Sequence, residues 1–265
     1  MADSLDAILE DLAGEHGALD AIVDGLPDER WDAPTPADRW RVRDQIGHLA
    51  FFDQQGALAA TDAERFVSET KAGLADRKTF AARTEQLGRD HTGDELLGIW
   101  RSARSSCIAA LRGVPDGVRL PWYGPPMSVR SFVTARLMET WAHGQDVVDG
   151  LGLPIDARAV TDRLRHIAFL GVSTRGWSYV VRGREAPAAD VRVELTLPSG
   201  AEFAHGPAGA ADWVHGSALD FCLVVTQRRN VADTALAVSG PLAEEWVSIA
   251  QCFAGAPTQP PAPRS

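Results

Sequence analysis

Residues 128–152 read SVRSFVTARLMETWAHGQDVVDGLG. Ser128 supplies an N-cap oxygen, and Val129, Phe132, Val133, Arg136, Leu137, Thr140 and Trp141 recur at the three- and four-residue spacing of a helical face. Gly150 and Gly152 close the helix, since glycine takes the left-handed conformation that ends one. Glu139 and His143 stand four residues apart within it, so both side chains project from the same face.

Three more long helices precede this one. The first begins at Ser4 and Asp6 and runs through Leu5, Ile8, Leu9, Leu12, Ala18, Leu19, Ile22, Val23 and Leu26 to the breaker LPDER. The second, ADRWRVRDQIGHLAFFDQQGALAA (37–60), follows the proline loop APTPAD, carries Val42, Ile46, Leu49 and Ala50 on one stripe and places His48 near its middle. A polar stretch around KAGLADRKTF (71–80) reads as irregular or partly helical. Asp94 is a fair N-cap for the third helix, whose stripe is Leu96, Leu97, Trp100, Ala103, Cys107, Ala110 and Leu111. The Pro- and Gly-rich loop GVPDGVRLPWYGPPM (113–127) then leads into the fourth. Four such helices joined by polar loops predict an antiparallel four-helix bundle over residues 1–152.

Beyond LGLPID the texture changes to that of a smaller α+β domain over 153–256. A helix over 156–177, an alternating strand VRVELTL (191–197), the turn PSG and a partner around AEFAHG follow in order. WVHGSALDFCLVVTQRRN (213–230) reads as a strand end feeding a helix, TALAVSG as a strand and PLAEEWVSIAQCFAG (241–255) as a terminal helix. The Pro-rich tail, 257–265, is expected to be disordered.

Charge narrows the function classes. A formal net charge of −10 disfavours nucleic acid and anionic membrane surfaces as partners. No apolar run approaches the roughly 18 residues that a membrane span needs, and the N-terminus opens acidic rather than with a basic signal-peptide n-region, so a cytoplasmic protein is expected. Cys107, Cys222 and Cys252 lie far apart without CxxC spacing and read as buried, reduced thiols.

The chemistry-bearing pattern is Glu139 and His143 with His48 as third ligand, because facing helices of a bundle build metal sites in its core. Two imidazoles and a carboxylate suit zinc, with nickel, iron or cobalt as alternatives, and leave a coordination position for water or a small-molecule substrate. Asp53 is a candidate to orient a ligand, and Trp122 and Tyr123 either roof the pocket or pack a turn. Trp141 reads as core or pocket wall. His166, His205 and His215 have no partner at ligand spacing, and Ser217 lacks the setting of a nucleophile.

RDQIGHLAFFD (43–53) and ARLMETWAHGQDVVDGLG (135–152) resemble the second-helix histidine motif and fourth-helix ExxxH motif of the DinB-like metal-binding superfamily, closest to the mycothiol-dependent maleylpyruvate isomerase group. The resemblance implies a second domain similar to sterol carrier proteins, metal ligation by His48, Glu139 and His143, and mycothiol as co-substrate. It also implies an arginine at the end of a C-terminal helix that serves isomerisation, a position best matched by Arg228, whose guanidinium suits an anionic substrate. The expected activity is thiol-dependent isomerisation or thiol transfer. The alternatives are a thiol-free metal-dependent hydrolase, lyase or cyclase, and a non-enzymatic protein that binds a metal and an apolar ligand. Sequence sets no oligomeric state.

Overall fold

Helix α1 (Leu5–Val23) starts where the Ser4 hydroxyl accepts the Ala7 N–H at 3.2 Å, and it buries Leu9, Leu12, Leu19 and Val23 completely. A short helix α2 (Asp28–Trp31) follows, and then a loop closed by a bridge between Pro34 and Arg41. Helix α3 (Val42–Thr61) therefore begins five residues later than the sequence predicts. Two prolines and Arg39, at a left-handed φ of 64°, keep residues 34–41 out of the helix. The Asp44 carboxylate instead caps the start by accepting the Arg41 N–H at 2.9 Å.

The computed structural model describes residues 4–75, 77–115, 117–158 and 160–264, with the backbone alone for 77–81. The polar stretch after α3 is regular: α4 (Ala63–Ala75) and α5 (Arg77–Arg89) occupy it. Its helical period was hard to read because Phe66 is the only buried hydrophobic residue described in α4. Tertiary contact holds α5 instead. A Cβ on Gly47 would lie 2.6 Å from Gly88 N, and one on Gly88 would lie 2.4 Å from the Arg43 carbonyl oxygen. Two glycines thus let the α3 and α5 backbones touch beside His48.

Helix α6 (Gly93–Arg112) is capped by Thr92, not Asp94: the Thr92 hydroxyl accepts the Glu95 N–H while the Glu95 carboxylate accepts the Thr92 N–H. This reciprocal pair satisfies two end donors, leaving Asp94 in the first turn, where its charge favours the dipole. A two-stranded ladder, β1 (Arg119–Leu120) with β2 (Met127–Ser128), closes the following loop. Helix α7 (Val129–Gly150) then starts at the predicted cap, with Ser128 Oγ accepting Ser131 N–H at 3.2 Å. Gly152, at φ 66°, ends it.

The four-helix bundle is made by α1, α3, α6 and α7: α3 packs on α6 and α7, and α1 packs on α7 and α6. Leu19, Val23, Val42, Ile46, Leu49, Leu96, Trp100 and Val147 form one cluster drawn from all four helices. Each fully buried aliphatic side chain stabilises by about 1.5–3 kcal/mol. Directions follow from contacts along the helices. Asp6 and Asp24 of α1 meet Arg112 and Arg101 of α6, so those two run antiparallel. Asp53 and Gly56 of α3 meet Trp100 and Cys107 of α6, so α3 and α6 run the same way, with α4 and α5 carrying the chain between them. His48 and Asp53 meet Glu139 and Arg136, making α3 and α7 antiparallel.

The chain divides into two compact units, residues 1–159 and 160–265, a few residues beyond the predicted boundary. Arg158 explains the shift. Its buried guanidinium donates to the Trp141 carbonyl at 2.8 Å, sits 3.3 Å from Glu15 and lies over the Trp141 ring, so residues 153–158 belong with the bundle. Trp141 is accordingly core. Gly144 makes room for this arrangement, since a Cβ there would lie 2.1 Å from Arg158 Nη1.

The second unit is α+β, as expected. Helices α8 (Leu164–Ser173) and α9 (Arg175–Val180) replace the single predicted helix. Strands β3 (Val191–Thr196), β4 (Glu202–His205) and β5 (Asp212–Ser217), helix α10 (Ala218–Val225), strand β6 (Ala237–Ser239) and helix α11 (Pro241–Ile249) complete it. The sheet order is β4-β3-β5-β6, with β3 and β5 parallel and both outer strands antiparallel. Val191, Val193, Leu195 and Val214 turn to a core shared with Phe221 and Trp246. The tail, described through residue 264, makes hydrogen bonds to the rest of the second unit. It has no regular structure, yet Thr258 bonds to Gln251 and Gln227, the Pro261 carbonyl accepts from Asn230 and the Arg264 N–H reaches Asp233. These side chains offer backbone partners that composition does not reveal.

Candidate metal centre

The antiparallel packing of α3 on α7 brings His48 to the face that carries Glu139 and His143. Glu139 Oε2 lies 3.2 Å from His143 Nε2 and 3.7 Å from His48 Nε2, and the two imidazole centroids are 4.4 Å apart. One donor atom from each residue falls within 4.8 Å of the others. Ligand bonds of roughly 2.1 Å around a tetrahedral ion put donors about 3.4 Å apart, so the spacing fits a single cation. All three residues are half-buried.

Electrostatics favour the same reading. Burial first, then the neighbouring His143, pulls the His48 pKa from 6.5 down to about 4, with Glu139 opposing, so this imidazole is neutral and ready to ligate near pH 7. Burial alone would raise the Glu139 carboxyl, but hydrogen bonds to His143 and His48 hold it well below the usual carboxylate range. An ionised carboxylate thus faces two ring nitrogens across gaps that a positive charge fills, either a proton or a metal ion.

The surroundings are aromatic. Trp40 lies nearly parallel to His143 at 5.7 Å and tilts against His48 at 5.1 Å, while Phe52 flanks His48 at 4.6 Å. Phe52 leads on to Trp122 and Tyr123, and Trp122 stacks on Phe66 at 5.5 Å and meets Phe132 edge-on at 4.7 Å. Trp122 and Tyr123 therefore pack into an aromatic cluster that begins one residue beyond the His48 ring. Behind the ligands, His143 Nδ1 is 2.5 Å from Gln45 Oε1, and Gln45 Nε2 donates to Thr35 Oγ1 at 2.9 Å.

Asp53 does not orient a ligand. Its carboxylate accepts from Arg136 and from Trp100 Nε1, and His16 Nε2 lies 3.7 Å away, so it organises the core below the site. Arg228 lies in the second unit just after α10, half-buried, with Nη1 donating to the Thr226 carbonyl at 2.7 Å. His215 pairs with Glu194 at 3.1 Å, His166 is buried in α8, and Ser217 serves as the α10 N-cap. All three cysteines are buried, and none forms a disulfide among the described residues. Gln45 and Trp40 went unmarked in the sequence, although Gln45 precedes His48 by three residues and so shares its helical face.

The family model for the mycothiol maleylpyruvate isomerase N-terminal domain matches residues 12–148, more than half of the chain and all three ligand candidates. The chain belongs to this family. An uncharacterized protein of Mycobacterium tuberculosis, found in strains CDC 1551 / Oshkosh and ATCC 25618 / H37Rv, is 46% identical over 249 residues, covering 93% of this chain and 95% of the relative. Among solved structures, the mycothiol-dependent maleylpyruvate isomerase superposes with a TM-score of 0.55 at 13% identity, over 89% of this chain and 93% of that one. A histidine mutant of that enzyme gives 0.56 at 14%, over 85% and 90%. At such identities the likeness establishes the shared fold. Among the described residues, no helix is long and apolar enough to cross a membrane.

Proposed function

We propose that this family member is a metal-dependent enzyme using a low-molecular-weight thiol, mycothiol by analogy with the isomerases it resembles, to isomerise or conjugate a small electrophile. The observation that carries the reading is the convergence of His48, Glu139 and His143 from two helices on one point. A divalent ion held there supplies Lewis acidity that lowers the pKa of a thiol to near neutral. Zinc suits the donor set best, since two imidazoles and a carboxylate from a rigid helical frame favour four-coordination with one exchangeable position.

The chain's own groups supply the rest. Glu139 contributes the negative charge that holds a cation, His48 enters neutral and Trp40 and Phe52 bound the ligand face with apolar surface that limits water. In the isomerase form of the reaction, the thiol loses its proton and its sulfur adds to an activated C=C bond. The resulting single bond rotates, and the same C–S bond breaks to restore the alkene and the thiol, with no net oxidation. Transfer differs in retaining the C–S bond. Arg228 is assigned, within the same proposal, to grip a substrate carboxylate through its guanidinium fork.

Metal analysis of the wild type and His143→Ala, with maleylpyruvate turnover measured with and without mycothiol, tests the reading. One metal equivalent lost in the variant and turnover that needs the thiol are expected. Equal metal in both proteins removes the site, and thiol-independent turnover replaces the thiol reaction with a hydrolytic or Lewis-acid one. Arg228→Met is expected to raise KM for an anionic substrate with metal content unchanged.

A further inference from the structure

We propose that Gln45 is the positioning residue of this centre, locking His143 in the tautomer that presents a bare Nε2 to the ion; the inference rests on the metal reading above. The assignment starts from an atom that has one role only. The Trp40 carbonyl cannot donate, so the Thr35 hydroxyl gives it a proton at 2.9 Å. Thr35 Oγ1 then accepts from Gln45, at 2.9 Å, which identifies the nitrogen end of that amide. Gln45 Oε1 must therefore be the atom 2.5 Å from His143 Nδ1. An amide oxygen only accepts, so Nδ1 carries a proton, and Nε2, 3.2 Å from Glu139 Oε2, is the nitrogen left to the ion once it displaces any proton shared with that carboxylate. Asp146 Oδ2, 3.8 Å from the same Nδ1, adds negative potential on that side.

Burial makes the chain of bonds stiff. Gln45 is 0% exposed, so neither end of its amide can exchange its partner for solvent. The opposite tautomer would set Nδ1 and Oε1, two acceptors, against each other and would place a hydrogen where the ion binds. His48 has no such device, since its Nδ1 is buried without a hydrogen-bond partner among the described residues. The two imidazoles are thus unequal: one is fixed before metal arrives, and the other is steered only through Glu139.

The same bonds tie the centre to the loop before α3. Thr35 N–H also donates to the Trp40 carbonyl at 2.8 Å, and the loop turns at Arg39 in the left-handed region. The loop that lays the Trp40 ring on His143 is therefore the loop that sets the tautomer of His143. Its shape and the ligand's readiness change together.

Zinc affinity, read by competition with a chromophoric chelator, and 15N NMR of the histidine rings in the metal-free protein test this, the latter at alkaline pH where imidazoles are neutral. Gln45→Leu is expected to weaken zinc binding by about 10- to 100-fold, the usual effect of losing such a support, and to raise the Nε2-protonated fraction of His143. Gln45→Glu, which still accepts from Nδ1, is expected to recover most of the affinity, a rescue that a purely structural role for Gln45 would not produce. Thr35→Val is expected to fall between them. Should Gln45→Leu fail to fold, Thr35→Val carries the test. Unchanged zinc affinity in the folded variants, or a wild-type His143 protonated at Nε2, overturns the role of Gln45 while leaving the metal centre standing. A folded wild type that binds no zinc overturns both.

Discussion

The Asp53 carboxylate of α3 accepts Nε and Nη2 of Arg136 of α7 at 3.1 and 2.9 Å, with Asp53 0% and Arg136 3% exposed. The pair joins the two helices that carry the metal ligands, five residues after His48 and three before Glu139. Trp100 Nε1 adds a third donor from α6. Hydrogen bonds at one carboxylate thus join three of the four bundle helices, and His16 of α1 stands 3.7 Å from it.

Breaking this pair from one side strands a charge in the core. Asp53→Leu or Arg136→Met is expected to cost about 3–5 kcal/mol each, whereas the double substitution costs less than the sum, because no unpaired charge remains. Urea unfolding of the metal-free single and double variants gives the coupling energy. Additive losses would show that the two groups are not coupled.

His16 predicts a pH dependence. It stands edge-on to Trp100, and burial first, then Arg104 and Arg136, outweighs Asp53 to bring its pKa from 6.5 down to about 4. Between these two values the unfolded chain binds the proton and the folded one does not, so stability falls as pH drops from 6.5 toward 4. The full loss is about 3 kcal/mol, and His16 adds no slope above 6.5. His16→Leu should flatten the stability profile over that window, measured by denaturant titration of the metal-free protein. A profile as steep as the wild type's would assign the effect elsewhere.

Metal removal should be felt as lost stability. An ion that binds only the folded chain adds about 2.7 kcal/mol when present at 100 times its dissociation constant. Zinc is expected to raise Tm of the wild type and a chelator to lower it, with His48→Ala, Glu139→Gln and His143→Ala indifferent to both. Differential scanning calorimetry reads this directly, and a zinc response surviving in all three variants would move the binding site.

Gly47→Ala probes the backbone contact beside His48. The added Cβ meets Gly88 backbone at 2.6 Å, where no flexible side chain can yield, so α5 must move off α3. A loss of about 1–3 kcal/mol is expected, as for other overpacked contacts, with weaker zinc binding because His48 is the next residue. Gly98→Ala, with open space around its Cβ, serves as the control.

Much of this was legible in the chain. The stripes of α1, α3, α6 and α7 and the cap Ser128 follow from spacing, and the ExxxH pair on α7 projects to one face whatever surrounds it. The polar helices α4 and α5 were harder, since their described positions offer little apolar period and their placement relies on the Gly47–Gly88 approach. The direction of α6 was also hidden. An amphipathic stripe fixes which face a helix buries but not which way it runs, and a parallel α3–α6 pair needs the intervening helices to carry the chain back.

The sequence by itself determined the four long helices of the bundle, the pairing of Glu139 with His143 and the candidacy of His48, because local periodicity places side chains on faces. Only the tertiary structure decided that Gln45, Thr35 and the Trp40 carbonyl form one chain of hydrogen bonds ending on His143, and that Asp53 serves Arg136 rather than a ligand. Hydrogen bonds between elements depend on distances of a few tenths of an ångström, set by how the helices pack. No spacing along a single segment encodes them.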